Sequence, residues 1–328
     1  MDNTVQFTKN KEHLAEDDVL QGRYKISSYI NRGSYGAVYQ GIDQSNKKNV
    51  AIKVNTSNVE NFLEREINLL RALQGSKHAG KLYGYGWSNG SYYMVMDLLG
   101  PNLSELVQNS AKKRFSQKNA IHLAIQMLEA VEDIHNAGYL HGDLKPSNIT
   151  IGLKQNSDFS SSNIYIVDFG SSLQFKDRYG NRLAARNSTF RGTLKYASLN
   201  AILEVELGPI DDLWSVFFTI VKLMLGYLPW DGTNSLKEII EMRQRFFSGQ
   251  LLSELPKGLN ILYDKLKNMN ARTNPNYNDL KTALQFDLNA YGSPGHAIPD
   301  ARSRLINRFG HVWKWRISTF MLAWSNTA

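Results

Sequence analysis

His141-Gly142-Asp143-Leu144-Lys145-Pro146-Ser147-Asn148 is the stretch on which the reading of this chain turns. A carboxylate, an ammonium two residues on and an amide five residues on share one short loop. Transfer of a phosphoryl group from ATP calls for such a set. The carboxylate orients the attacking hydroxyl and accepts its proton, the ammonium stabilises charge on the γ-phosphate, and the amide oxygen holds a metal ion. Pro146 fixes one φ angle and removes a donor, which suits a loop. Ile149 and Ile151 follow as a short apolar strand that anchors it. The plain alternative is a polar loop between two elements, and it weakens as the rest of the chain is read.

Downstream, the apolar run Ile164–Val167 leads into Asp168-Phe169-Gly170, 25 residues after Asp143. A carboxylate at a strand end, followed by a glycine, suits a metal ligand on a movable segment. Upstream, Val50-Ala51-Ile52-Lys53 ends an apolar strand in a lysine, which is costly unless paired. Phosphate oxygens and a glutamate on the next helix are the expected partners. Glu66 is the choice because Ile67, Leu69 and Leu70 put it on the apolar face, with Glu64 as the fallback. Arg32-Gly33-Ser34-Tyr35-Gly36-Ala37-Val38 lies in a hairpin, where glycines let backbone approach phosphates. Gly192-Thr193-Leu194-Lys195-Tyr196-Ala197-Ser198 closes the segment opened by Asp168, and Thr193 is placed to bond Asp143 and Lys145. Asp212 begins an apolar helix, either as a simple N-cap or as a holder of the catalytic loop.

The 328 residues allow about two domains. With no cysteine, disulfides, thiolate catalysis and Cys-based zinc sites are excluded, and a reducing compartment fits. Met1 to Asp18 is polar and charged, unlike a signal peptide. No run reaches the ~20 apolar residues of a membrane span. The net charge of +8 does not choose among nucleic acid, membrane surface and acidic protein as partners.

After a flexible or loosely docked lead-in, Tyr24–Ile30 and Ala37–Tyr39 read as a hairpin around a turn at Asn31 to Tyr35. A third strand spans Val50–Val54, and two more lie near Lys81–Gly86 and Tyr92–Asp97. An amphipathic helix runs near Glu60 to Leu73. Beyond a hinge at Asp97–Gly100, Leu103–Gln108, Gln117–Asn136, Pro209–Leu225, Leu236–Ser248 and Leu259–Leu266 read as helices. Ser157 to Asn163 reads as a surface loop. The expected fold class is α+β, with a small antiparallel-sheet lobe carrying one main helix and a larger, mostly helical lobe.

Taken in order, these motifs resemble a eukaryotic protein kinase. Leu98-Leu99-Gly100-Pro101-Asn102-Leu103, Tyr196-Ala197-Ser198-Leu199-Asn200 and Leu228-Pro229-Trp230 resemble the casein kinase 1 superfamily. Leu73-Gln74-Gly75, Phe190-Arg191-Gly192-Thr193 and Asp211-Asp212-Leu213-Trp214-Ser215 point to its tau-tubulin kinase branch. The resemblance implies a bilobal fold with an extension at 1–19, a kinase domain at 20–292 (lobes 20–97 and 101–292) and a tail at 293–328.

The resemblance further implies a Ser/Thr protein kinase that uses ATP and Mg2+. Asp143, Lys145 and Thr193 would form the catalytic set, and Asn148 and Asp168 would bind magnesium. Gly33, Gly36, Lys53 and Glu66 would serve the phosphates. Ile30, Val38 and Ala51 would receive the adenine, with Met96 as gatekeeper and Asp97 and Leu99 as hinge partners. Partners would be protein substrates, acidic or cytoskeletal ones among them, with no nucleic acid required, for a monomer that is cytoplasmic, nuclear or both. The rival reading is a pseudokinase scaffold or binding module, and a small-molecule kinase is a third.

Three departures qualify the match. Asn31 replaces the first glycine of the phosphate loop. Gly142 stands where most kinases carry an arginine that pairs with a phosphorylated loop. Lys195 is a candidate for a basic substrate pocket, but Glu241 lies where a second cation is expected. The tail combines Arg302, Arg304, Arg308, Lys314 and Arg316 with Phe309, Trp313, Trp315, Phe320 and Trp324. It reads as a docked helix or disordered extension, or else as a membrane-surface or partner-binding segment.

Overall fold

Hairpin connections set most of the strand order in the first lobe. The computed structural model describes residues 15–33, 36–55, 62–88, 90–153, 163–184, 189–249, 252 and 254–290. Six strands, β1 (Val19–Leu20), β2 (Tyr24–Gly33), β3 (Gly36–Asp43), β4 (Lys48–Val54), β5 (Leu82–Ser88) and β6 (Ser91–Asp97), form one sheet. Their order is β1-β2-β3-β4-β6-β5, antiparallel throughout. Side chains alternate along each strand, so the sheet has two distinct faces. On one face Leu20, Tyr24, Ile26, Tyr39, Ile52 and Val95 build a small core. On the other, Val38 stands opposite Lys53 and Ala51 opposite Met96. The Tyr24 hydroxyl donates to Tyr83 O (3.2 Å), drawing the two ends of the sheet together.

Helix α1 (Phe62–Ala72) packs Leu63 and Ile67 against Met94 on the second face of the sheet. After the hinge the chain turns helical. Helix α2 (Leu103–Asn109) starts with a capping box, in which Asn102 Oδ1 accepts from Glu105 N (3.0 Å) and Glu105 Oε2 from Asn102 N (3.0 Å). Helix α3 (Gln117–Asn136) is capped by Ser116. Helix α5 (Pro209–Leu225) is apolar nearly all round and lies buried at the centre of the lobe. Around it come α4 (Leu199–Ile202), α6 (Leu236–Ser248), α7 (Lys257–Leu266) and α8 (Tyr277–Ala290). The two-stranded pairs β7 (Tyr139–Leu140) with β10 (Leu173–Gln174), and β8 (Ile149–Ile151) with β9 (Ile164–Ile166), brace the loops of the cleft.

The α+β, two-lobe expectation holds, with several local differences. The lead-in ends in β1, which pairs with β2 through Val19↔Lys25 and Leu20↔Tyr24. The hairpin strands run past the expected turn, to Gly33 and from Gly36. Helix α8 was absent from the sequence reading. Its apolar positions Leu280, Ala283, Leu284 and Leu288 are spaced helically, but polar residues dilute the pattern. The N-terminal residues 1–14, Ser34 and Tyr35 of the glycine turn, nearly all of the Ser157–Asn163 loop and the tail 293–328 lie outside the described residues.

Candidate active site

Lys53 Nζ donates to Glu66 Oε2 (2.6 Å) and to Asp168 Oδ1 (2.9 Å). The glutamate on the buried face of α1 is the partner, whereas Glu64 is exposed. Lys53 and Glu66 are almost fully buried, so each without the other would be costly. Burial favours the neutral amine, but the two carboxylates outweigh it and hold the Lys53 pKa above its ordinary value. Asp168 adopts a left-handed backbone, φ +64°. That conformation costs a non-glycine residue roughly 1–2 kcal/mol, and here it accompanies a carboxylate aimed at Lys53. Burial pushes the Asp168 carboxyl up; Lys53 more than reverses this, leaving it below the usual range.

Across the cleft, Asp143 Oδ2 accepts from Lys145 Nζ (2.7 Å) and from Asn148 Nδ2 (3.3 Å). Its other oxygen, Oδ1, is buried and has no partner among the described residues. Asn148 Nδ2 also donates to Asp143 O (2.9 Å), which turns the amide nitrogen inward and leaves Oδ1 as the free acceptor. His141 is fully buried. The Asp143 N–H donates to its Nδ1 (3.2 Å), so the ring hydrogen sits on Nε2, which meets Val167 O (3.2 Å). Both contacts together require that neutral tautomer.

The loop is suspended from α5. Asp212 accepts from the N–H groups of His141 (2.7 Å) and Gly142 (2.9 Å), and from His135 Nε2 (2.9 Å). The Tyr277 hydroxyl meets the other ring nitrogen of His135, tying α8 into the same chain. Of the two readings of Asp212, the holder of the loop is correct. The helix is capped instead by Gly208 with Asp211, whose Oδ2 accepts from Gly208 N (2.7 Å). Thr193 Oγ1 accepts from Lys145 Nζ (2.7 Å). The expected bond from Thr193 to Asp143 is not made, because the ammonium lies between them.

Two glycines are required by geometry. Gly36 has φ +155°, and a Cβ there would lie 2.4 Å from Val54 O. Gly142 has φ +78°, and a Cβ there would lie 2.9 Å from Ser171 O. Gly142 is therefore more than a missing arginine, since its backbone closes directly onto the segment after Asp168.

The nucleotide-binding candidates line the second face of the sheet. Ala51 is buried; Val38 and Met96 are half-buried. Ile30 is half-buried in a bulge, where the register skips from Tyr29 to Asn31, so it has no cross-strand partner. Gly33 pairs with Gly36 at the hairpin end. The Asp97 carboxylate is fully engaged, by Lys48 (3.0 Å), Lys81 N (2.8 Å) and the Tyr83 hydroxyl (2.5 Å), so any contact to a ligand falls to its backbone. Gly100 N donates to Ile151 O (2.8 Å), fixing the hinge to β8. Among the described residues Leu99 makes no backbone hydrogen bond, leaving a donor and an acceptor open.

Sequence reasoning missed His135, Tyr277 and Arg243. Each acts through a partner far along the chain, and no local motif marks them. Lys195, the candidate for a basic substrate pocket, donates from Nζ to Asp231 O (2.6 Å).

A cleft with a paired lysine, a left-handed aspartate and a buried carboxylate beside a lysine and an amide defines a phosphoryl-transfer site. Comparison with known proteins agrees: residues 24–283 match the protein kinase domain, and the chain belongs to that family. It is similar to a Dictyostelium discoideum protein named as a serine/threonine-protein kinase, 36% identical over 83% of this chain and 54% of that protein. It is also similar to a Caenorhabditis elegans protein named for casein kinase I, 32% identical over 70% of this chain and 68% of that protein. The chain thus spans about half the length of the Dictyostelium relative. Members of that family use ATP with a divalent cation and phosphorylate protein acceptors.

Proposed function

We propose that this chain is an ATP- and Mg2+-dependent serine/threonine protein kinase of the casein kinase 1 superfamily, allied to its tau-tubulin kinase branch. One observation carries the reading: Asp143 Oδ1 is buried, has no partner among the described residues and lies beside the Lys145–Thr193 pair. An orphaned buried carboxylate oxygen is costly unless a ligand completes it. A serine or threonine hydroxyl does so by donating its hydrogen.

In this reading Asp143 orients the acceptor hydroxyl and takes its proton. Lys145 is held at 2.7 Å from both Asp143 Oδ2 and Thr193 Oγ1, so its charge is aimed at the transferring group. Lys53, kept charged by Glu66, receives the α/β-phosphates. The cleft fits a hard cation: Asn148 offers its free amide oxygen and Asp168 its ionised carboxylate, both oxygen donors suited to magnesium. Magnesium bound there would neutralise phosphate charge. Ile30, Val38 and Ala51 enclose the base, with Met96 behind it and the backbone of Asp97 and Leu99 at the hinge. The kinase domain is taken as 20–292, which adds Leu20 of β1 and the end of α8 to the matched residues.

A dedicated pocket for acidic or pre-phosphorylated substrates finds little support, because Lys195 donates to Asp231 O and Glu241 stands where a second cation is expected. The test is incubation of the purified chain with labelled ATP and a panel of proteins, with and without Mg2+. Label on serine or threonine, lost on chelation, is the expected result. ATP binding with no transfer to any protein would instead favour the scaffold reading.

A further inference from the structure

Four consecutive carbonyls, Leu194 to Ala197, are held by side chains from other parts of the helical lobe. Leu194 O accepts from Arg243 Nη2 (3.1 Å). Lys195 O accepts from Arg243 Nη2 (3.0 Å) and Trp230 Nε1 (2.8 Å). Tyr196 O accepts from Ser215 Oγ (2.9 Å), and Ala197 O from Arg243 Nη1 (2.7 Å). One guanidinium thus serves three of the four.

Arg243 is an unusual residue to find here. It lies on α6 at 6% exposure, with its guanidinium 4.4 Å from the Phe218 ring centroid and 5.0 Å from that of Trp230. Among the described residues it forms no ion pair, and its Nε has no partner. Burying an unpaired charge is expensive, and burial pushes its pKa down to about 10. A core hydrophobe would avoid that cost. What only arginine supplies is a rigid planar fork of donors able to span several carbonyls, backed by ring faces that favour a cation.

The hold passes onward to the active site. Tyr196 N and Ala197 N both donate to Thr193 O (2.9 and 3.1 Å). Thr193 Oγ1 in turn receives Lys145, and Lys145 bridges to Asp143. Fixing the carbonyls therefore fixes Thr193 relative to the catalytic carboxylate.

We propose that Arg243 is a positioning residue for the acceptor protein, fixing the segment Thr193–Ala197 as the platform on which the acceptor's polypeptide lies. With its carbonyls turned toward the lobe interior, the platform meets the acceptor mainly through side chains. This rests on the kinase reading above, and it assigns Arg243 to protein-acceptor binding and not to nucleotide binding.

The test uses the full chain with dephosphorylated casein as acceptor, comparing wild type with Arg243→Met, Arg243→Lys and Trp230→Phe. Arg243→Met should raise the KM for casein about tenfold while the Kd for ATP stays within about twofold. Arg243→Lys keeps the charge but loses the fork, so it should fall between. An unchanged casein KM would overturn the proposal. So would a weakening of ATP binding in step with the casein KM, which marks a merely structural role. If Arg243→Met does not fold, Arg243→Lys and Trp230→Phe are held to the same criterion. Loss of transfer in the wild type as well would overturn the kinase reading itself, and that outcome is separate from a defect confined to the variants.

Discussion

The two walls of the cleft are held by different kinds of bond. On the sheet side, Lys53 is fixed by side-chain ion pairs to Glu66 and Asp168. On the helical side, backbone groups are the anchors: Asp212 takes two loop amides, while Arg243, Trp230 and Ser215 take four carbonyls. An ion pair can trade one partner for a phosphate, so the sheet side is built to receive charge. A backbone anchor cannot trade, so the helical side is built to hold geometry. Phosphoryl transfer needs both, because it depends on positioning and on electrostatic stabilisation of charge.

The sharpest way to break this contrast is at the helical wall. Asp143→Asn replaces the orphaned carboxylate by an amide that cannot accept the proton. The expected loss is on the order of 1000-fold in turnover, about 4 kcal/mol of barrier. Steady-state rates on a folded variant check it, and near-wild-type turnover would remove Asp143 from the chemistry.

Asp212→Asn should cost less, because it touches the anchor and not the reacting atoms. Loss of a charge-assisted acceptor for two amides and a histidine should lower stability by roughly 1–3 kcal/mol. The pH dependence has a definite sign. Burial raises the Asp212 carboxyl, but the bond from His135 outweighs it and the folded pKa lies below the ordinary value. Its contribution is therefore complete above the unfolded carboxylate pKa of about 3.9 and is lost as pH falls through the folded value. Urea unfolding of wild type and variant should differ by a constant amount above about pH 5 and converge in acid. A gap that widens in acid would reverse the assigned sign.

The same contrast explains what the sequence disclosed. Lys53, Glu66 and Asp168 are side chains whose type and setting are unusual where they stand: a lysine ending an apolar strand, a glutamate on an apolar helix face. The catalytic loop was legible because Asp143, Lys145 and Asn148 lie within six residues of one another. Arg243 and His135 were not legible, since their partners are backbone carbonyls 46 residues away or a carboxylate 77 residues away. A backbone carbonyl has no sequence signature. Helix α8 was missed for a related reason: Tyr277 and Lys281 earn their places through His135 and Glu132 on α3, not through a clean apolar stripe.

The smallest expected effect is a change in activity on removing phosphate from the loop between Gly170 and Gly192. A loop phosphate orders a site when a guanidinium beside the catalytic aspartate receives it. Gly142 supplies none; its φ is positive, and a Cβ there would lie 2.9 Å from Ser171 O, so a side chain would force the backbone to shift. The described arginines of the segment are engaged elsewhere. Arg182 bonds Leu207 O (2.9 Å) and pairs with Glu206 (3.4 Å), Arg178 bonds Tyr179 (2.5 Å), and Arg191 lies over the Phe62 ring. Ser171 and Ser172 are buried, which shields them from a modifying enzyme, while Thr189 is exposed. The geometry is already assembled, with Lys53 on Glu66 and Lys145 on Thr193. Phosphatase treatment, with the bare loop verified by mass spectrometry, should leave initial rates within about twofold. Gly142→Arg should not create a better enzyme, because a side chain in the left-handed region costs roughly 1–2 kcal/mol before the clash is counted. A rate loss of about tenfold on dephosphorylation, restored by rephosphorylating Ser171, Ser172, Ser188 or Thr189, would show that the helical wall is switched by charge after all, and the distinction between the two walls would fail.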